Sequence, residues 1–498
     1  MMNNNKMPIV LIGNSFKYEI EAVSKIFFRS GTRFDFIYEE NFFDFDKYSD
    51  YIISCVSKEY SISLCAEVKI NGNTERMYNK LPLESDKNTV ELELCRLVYN
   101  LLSKITGIKS PWGLMTGIRP VKKVVELIGK GRGKNDIYRI LSDKYMISEK
   151  KFSIAYETAV NQVPILEKID KSAVSLYISI PFCPTRCSYC SFVSHSMDSA
   201  VKLIPDYISA LCRELQIIGE IVKSTGTPVD TVYFGGGTPT SLSAKDIQTV
   251  MEAVEKNFDL NKVREYSFEA GRPDTITEEK LRVIKQMGAG RISVNAQTLN
   301  DDILKKIGRN HSTADFFTAF ETAKKTGFEN INTDLIAGLP TETYESFCKS
   351  LDKVISLDPE NITVHTLTVK RSADLFEHGS TSDTVSEMVD YSTEKLMENN
   401  YFPYYLYRQK NTLDNLENIG YSKKGYENYY NIFIMDETQT IIGAGCSAST
   451  KLVYPDGKIL RIHNYKFPYE YINRFEQLME KKSEVTECLK KIRSLPLK

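Results

Sequence analysis

Residues 181–192 read Pro181-Phe182-Cys183-Pro184-Thr185-Arg186-Cys187-Ser188-Tyr189-Cys190-Ser191-Phe192, which sets three thiols at positions i, i+4 and i+7. The stretch follows a β-rich run at 174–180, so the thiols belong to a loop at a strand's end. Thiolates so spaced can converge on one centre. Zinc sites mostly use paired Cys-x-x-Cys knuckles supplying four ligands, whereas the rest of the ten cysteines are scattered. An iron-sulfur cubane normally takes four thiolates, so three leave one iron open to another ligand. Cysteine is also a common core residue, but the flanking Pro, Arg and Ser speak for a loop.

Downstream of the loop, short β-rich runs alternate with helix-length segments. The strands are expected at 174–180, 229–234, 265–270, 291–296, 331–337 and 362–367. The helices between them are expected at 203–223, 243–257, 277–287, 301–307 with 313–326, and 343–357. This alternation is the signature of parallel βα units. Ser243, Thr277 and Thr343 stand where N-caps belong, and Gly327 where a helix closes.

Barrels of such units gather their chemistry at the C-terminal ends of the strands. Each end here carries a ligand-type group. The second strand runs into Phe234-Gly235-Gly236-Gly237-Thr238-Pro239-Thr240, whose missing Cβ atoms let a ligand approach the backbone. Glu269 ends the third strand, and Gln297 ends the fourth with Arg309 beyond it. Asp334 lies inside the fifth, a costly place for an acid unless it is satisfied. Arg309 can pair with a carboxylate through two parallel N–H donors.

Residues 1–165 read as a separate α/β domain beginning with a strand at 9–12, residues 172–375 as the barrel, and 376–498 as a small α+β accessory domain. The chain has 498 residues, and its 64 Lys and Arg balance 65 Asp and Glu, which gives no reason to expect a nucleic-acid partner. Lys122-Lys123 and Lys481-Lys482 are short runs of the kind found on solvated helices. No stretch of about 18 apolar residues occurs, so no membrane span is expected. The N-terminus lacks a secretory apolar region, and isolated cysteines suit a reducing compartment. A cytoplasmic protein is therefore expected.

The Cys-x3-Cys-x2-Cys loop with Tyr189 before its third cysteine resembles the defining motif of radical S-adenosylmethionine (SAM) enzymes. Within them, Leu176-Tyr177-Ile178-Ser179-Ile180-Pro181-Phe182-Cys183, the glycine turn, and the Gln, Arg and Asp above resemble the oxygen-independent coproporphyrinogen III oxidase (coproporphyrinogen dehydrogenase) family. Leu114-Met115-Thr116-Gly117-Ile118-Arg119-Pro120 and Tyr404-Tyr405-Leu406-Tyr407-Arg408-Gln409-Lys410-Asn411 are similar to its longer variant with an extra N-terminal domain.

The resemblance implies a partial (β/α)6 TIM-like barrel of α/β class. It implies a [4Fe-4S] cluster on Cys183, Cys187 and Cys190, and SAM bound by Tyr177, Tyr189, Gly236, Gly237, Thr238, Glu269, Gln297, Arg309, Asp334 and Thr368. Tyr177, Glu269 and Arg309 would then act at the reaction centre. It further implies a tetrapyrrole substrate, an electron donor for the cluster and an electron acceptor. Arg119, Arg408 and Lys410 are candidate partners for the substrate carboxylates.

The family often has His and Cys where Ser179 and Phe192 stand, positions that bear on a second SAM molecule and on proton delivery. This difference moves the chain towards haem-handling members. A radical SAM haem chaperone is thus the alternative, with His195 the first candidate axial ligand and His311, His365, His378 and His463 the others. A nucleic-acid modifier would need a basic stripe, and none is evident.

Overall fold

The computed structural model describes residues 6–28, 32–38, 48–117, 119–190, 195–368, 384–409 and 412–494. The chain divides into two compact units. One comprises 1–120, 127–153 and 408–416, and the other 121–126, 154–407 and 417–498.

The first unit holds β1 (Lys6–Ile12), β2 (Arg33–Tyr38), β3 (Tyr51–Lys58), β4 (Ile62–Ile70) and β5 (Asn73–Leu81), in the order β2-β1-β3-β4-β5. β1 runs parallel to β2 and β3, and the hairpins β3–β4 and β4–β5 are antiparallel. Helices Lys17–Ser24 and Lys87–Thr106 bury Ile20, Val23, Leu94, Val98 and Leu102 with Ile9, Ile52 and Leu64 of the sheet. The longer helix starts where the Asp86 side chain accepts the Thr89 N–H at 2.7 Å, and it ends at Gly107, which has φ of 73°.

The second unit is built on β6 (Val174–Ile180), the two-residue strands β7 (Phe182–Cys183) and β8 (His195–Ser196), β9 (Val229–Gly236), β10 (Glu265–Glu269), β11 (Arg291–Ser293), β12 (Asn330–Ala337) and β13 (Asn361–Thr366). β6, β9, β10, β11, β12 and β13 pair in that order, all parallel, which is the expected six-stranded partial barrel. Alternation with period two sorts their side chains. Leu176, Ile178, Val232, Phe234, Phe268, Ile292, Ile331 and Leu335 are buried as an apolar set. The interleaved set is polar: Tyr177, Tyr233, Ser267, Glu269, Ser293, Asn332 and Asp334. Of these, Tyr233, Ser267, Glu269, Ser293 and Asn332 line one cavity of about 20 Å³.

Helix starts follow the expected caps, with Ser243, Thr277 and Thr343 side chains accepting from Asp246, Lys280 and Ser346. Gly327, at φ 92°, follows helix Thr313–Lys325. The fourth strand is shorter than expected, ending at Ser293. Gln297 has φ of 65°, which no regular strand tolerates, and it survives as an isolated bridge to Leu335.

The segment expected as a third domain instead extends the barrel sheet. β14 (Phe402–Arg408) and β15 (Glu417–Ser422) continue it beyond β13, while β16 (Thr440–Ala444), β17 (Ser449–Val453) and β18 (Ile459–His463) continue it beyond β6. An open barrel has two edges whose N–H and C=O groups need partners, and these strands supply them. Helix Tyr429–Asp436 lies between the two extensions. The N–H groups of Tyr429 and Tyr430 donate to Glu265 at 2.9 and 3.3 Å, and Arg291 donates to the Tyr426 carbonyl at 2.6 Å. Glu265 and Arg291 begin β10 and β11, so this segment covers the N-terminal end of the barrel. Helix Glu149–Leu166 also crosses the boundary expected at 165, because Ile165 and Leu166 pack with Tyr404, Tyr405 and Phe433.

Candidate active site

The cysteine loop leaves β6 and is laced to the turn after β9, to Arg272 after β10 and to the segment that follows helix Asp301–Lys306. Gly237 N–H donates to the Ile180 carbonyl and Thr238 N–H to that of Phe182, each at 2.7 Å. Ser188 N–H donates to the Ile307 carbonyl at 3.1 Å, and Thr185 Oγ1 to that of Gly308 at 2.9 Å. Arg272, buried, donates to Thr185 Oγ1 at 2.8 Å and reaches Cys187 Sγ at 3.8 Å, while Asp274 holds its other face at 2.8 and 3.0 Å. The β7–β8 bridge pairs Cys183 with Ser196 and Phe182 with His195.

Cys183 and Cys187 are buried and Cys190 is half-buried. Among the described residues no three His, Cys, Asp or Glu side chains converge on one metal ion. Thiolates around a cubane need not, since each binds a different iron. The surroundings fit the larger group in two ways. A Cβ on Gly237 would lie 2.9 Å from Cys183 Sγ and 2.7 Å from the Phe182 carbonyl, so only glycine leaves this side of the thiol clear. The guanidiniums of Arg272 and Arg309 stand beside Cys187, where they offset thiolate charge.

The polar lumen supplies the remaining groups. The Tyr233 hydroxyl donates to Glu269 Oε1 at 2.5 Å, and a Cβ on Gly235 would meet Glu269 Oε2 at 3.1 Å, so the carboxyl lies against the glycine turn. Burial pushes Glu269 up to about 7, with the Asp334 charge adding to the rise while Tyr233 and His365 oppose it. Burial also raises Asp334, but His365, Asn332 and Thr363 outweigh it and leave that carboxyl below its ordinary range. Asn295 and Asn332 donate to Asp334 at 2.7 and 2.8 Å. Two acids on adjacent parts of one wall are therefore held in different protonation regimes near neutrality.

Arg309 is buried and donates to the Tyr189 hydroxyl at 3.0 Å and to the carbonyls of Asn295 and Gly271 at 3.1 and 3.3 Å. Gln297 exchanges backbone bonds with Asp334 and Ile336 at 2.8 and 2.9 Å. Tyr177 stacks on Tyr233 and Tyr430 with centroids 6.2 and 6.0 Å away, and Tyr233 stacks on Tyr430 at 4.4 Å. Thr368 lies two residues beyond the end of β13.

Sequence reasoning missed Arg272, Asn295, Asn332, Tyr233, Tyr430 and His365 as members of this wall. Arg408 is corrected: its guanidinium donates to the carbonyls of Met115 and Asn415 and lies over Trp112, as a brace of the first unit. Arg119 falls in that same unit. Phe192, Lys410 and His378 lie outside the described residues. His195 packs edge-on to Phe467 at 5.8 Å, and burial lowers its pKa. Among the described residues, no helix is long and apolar enough to cross a membrane.

Residues 177–354 match the model of the radical SAM superfamily. The chain is 39% identical over 459 residues to the oxygen-independent coproporphyrinogen-III oxidase-like protein HemZ of Bacillus subtilis, an alignment covering 88% of this chain and 91% of that protein. It is 40% identical over 200 residues to the heme chaperone HemW of the same organism, covering 39% of this chain and 51% of that one. Coproporphyrinogen III oxidase (HemN) from Escherichia coli, solved as a radical SAM enzyme, shares the fold with a TM-score of 0.50 at 22% identity, over 64% of this chain and 72% of that one.

Proposed function

The chain belongs to the radical SAM superfamily and, within it, to the family of the coproporphyrinogen-III oxidase-like protein HemZ, and from this premise we propose that it oxidatively decarboxylates two propionate side chains of coproporphyrinogen III, giving the vinyl groups of protoporphyrinogen IX. What carries this reading is the HemZ alignment, which covers 88% of this chain and 91% of that protein.

The family's cofactors are a [4Fe-4S] cluster and SAM, which when bound supply one-electron cleavage of a sulfonium and a carbon-centred radical able to take a hydrogen atom from a propionate carbon. Cys183, Cys187 and Cys190 would hold the cluster beside the SAM site. Arg272 and Arg309 balance thiolate charge. The turn at Gly236, Gly237 and Thr238 has its Gly237 and Thr238 N–H groups committed to the cysteine loop, so it receives an ammonium through its carbonyls, with Glu269 opposite. Arg309, oriented by Tyr189, takes a carboxylate, while Gln297 and Asp334 take ribose hydroxyls. Tyr177 and Thr368 border this site. Tyr177, Tyr233 and Tyr430 close the lumen beneath it and keep water from the reaction space.

The HemW relatives and Ser179, in place of the family histidine, favour a second reading as a haem carrier. The test is anaerobic: reconstituted protein, SAM, a reductant, an electron acceptor and coproporphyrinogen III, followed for carbon dioxide and tetrapyrrole products. Vinyl products support decarboxylation. Tight haem binding without carbon dioxide release overturns it in favour of the carrier.

A further inference from the structure

In the first unit, Cys55 of β3 and Cys65 of β4 stand directly opposite each other on an antiparallel ladder. Opposed residues point to the same face, with Cβ atoms about 4.5–5.5 Å apart. Both thiols are half-buried and unbridged. Ile52 and Val56, on either side of this register, face the helices of the unit's main core, whereas Cys55 shares its face with Tyr51 and Ile53 of a smaller cluster. The Cys65 thiol senses its neighbour: burial raises it, Cys55 raises it further, and Arg76 and Tyr78 oppose the rise.

We propose that Cys55 and Cys65 are a modification site that closes to a reversible cross-strand disulfide in the presence of a peroxide. One thiol reduces hydrogen peroxide and becomes a sulfenic acid with release of water. The second thiol attacks that sulfur and releases another water, so two thiols and one peroxide give one disulfide and two waters. A disulfide needs Cβ atoms roughly 3.5–4.5 Å apart, so the ladder must tighten by about 1 Å. A bond made under that strain is readily reduced, which makes the change reversible by glutathione. Adjacent thiols see each other at an effective concentration of about millimolar or more, against micromolar for a second chain, so the bridge is intramolecular by roughly a thousand to one.

The experiment uses the full chain, kept anaerobic and given stoichiometric hydrogen peroxide, then quenched by alkylation and mapped by peptide mass spectrometry. Cys212 and Cys348 are internal references, because burial raises their thiols as it does those of Cys55 and Cys65. The expected result is parallel loss of alkylation at Cys55 and Cys65, matched by the appearance of one peptide linking the two, and recovery with glutathione, while Cys212 and Cys348 form no such link. Loss of alkylation at Cys55 and Cys65 without the peptide that links them, or disulfides from Cys55 or Cys65 to other cysteines, overturns the proposal.

Discussion

If Glu269 faces the SAM ammonium as proposed, the binding of SAM is a titration. Its carboxyl, raised to about 7 chiefly by burial, lies against the glycine turn assigned to an ammonium, and only the ionised form attracts a cation. With a pKa of about 7, roughly a tenth of the sites are ionised at pH 6 and roughly nine-tenths at pH 8. The dissociation constant for SAM should therefore be about tenfold larger at pH 6 than at pH 8, equivalent to about 1.4 kcal/mol.

The sign is set by the direction of the shift: an acid raised in the free protein is pulled down by a bound cation, so binding below pH 7 expels a proton. Glu269→Gln keeps the shape and removes the charge. It should bind SAM more weakly at pH 8 and lose the tenfold dependence. Isothermal titration calorimetry on anaerobic, cluster-loaded protein at pH 6, 7 and 8, in buffers of differing ionisation enthalpy, reads both the constant and the proton. SAM's own titration is common to both proteins, so the difference between their slopes is the measured quantity. Equal slopes in wild type and Glu269→Gln would refute the placement of the carboxyl at the ammonium.

Cys183→Ala should abolish the brown cluster absorbance and lower bound iron, whereas Cys212→Ala should leave both unchanged. Gly237→Ala puts a methyl 2.9 Å from Cys183 Sγ and should reduce iron and sulfide content at an overpacking cost of about 1–3 kcal/mol; Gly290→Ala, whose Cβ meets nothing within 4 Å, is the control. Glu342 is buried and raised to about 8, with Thr298 donating to one oxygen at 2.5 Å; an acid so raised loses stability to the protein as pH climbs from its unfolded value towards 8, so Glu342→Gln should gain on wild type across pH 5–8 in urea melts, by at most about 5 kcal/mol. Lys482, expected on a solvated helix face, instead pairs with Glu214 at full burial, where Tyr471 and Asn464 also bond the carboxylate at 2.5 and 2.9 Å. Lys482→Met strands that charge and should cost about 3–5 kcal/mol in the same assay.

Much of the barrel was legible because its strands obey a local rule. Asp334 stood out as an acid within an apolar run, and Asn332, two residues before it on the same face, obeys the same rule, as does Asn295 between Val294 and Ala296. Tyr233 and Glu269 meet because the β9–β10 register brings their strand ends together, which no single segment encodes. Arg272 was harder to see. Its value lies in contacts with Thr185 and Cys187, more than eighty residues earlier, and a lone arginine after a strand looks like any solvated one.

The C-terminal strands show where local reading stops. Their sequences announce short β segments, but whether such segments fold on themselves or complete another sheet depends on what edges are on offer. A six-stranded partial barrel offers two. β15 takes the edge of β13 in antiparallel sense, β16 takes that of β6 in parallel sense, and the connection between them must cross the barrel's N-terminal end. Helix Tyr429–Asp436 makes that crossing and places Tyr430 under Tyr177 and Tyr233. The floor of the candidate site is thus a consequence of edge pairing: a change that loosened β16 from β6 would open the lumen from below.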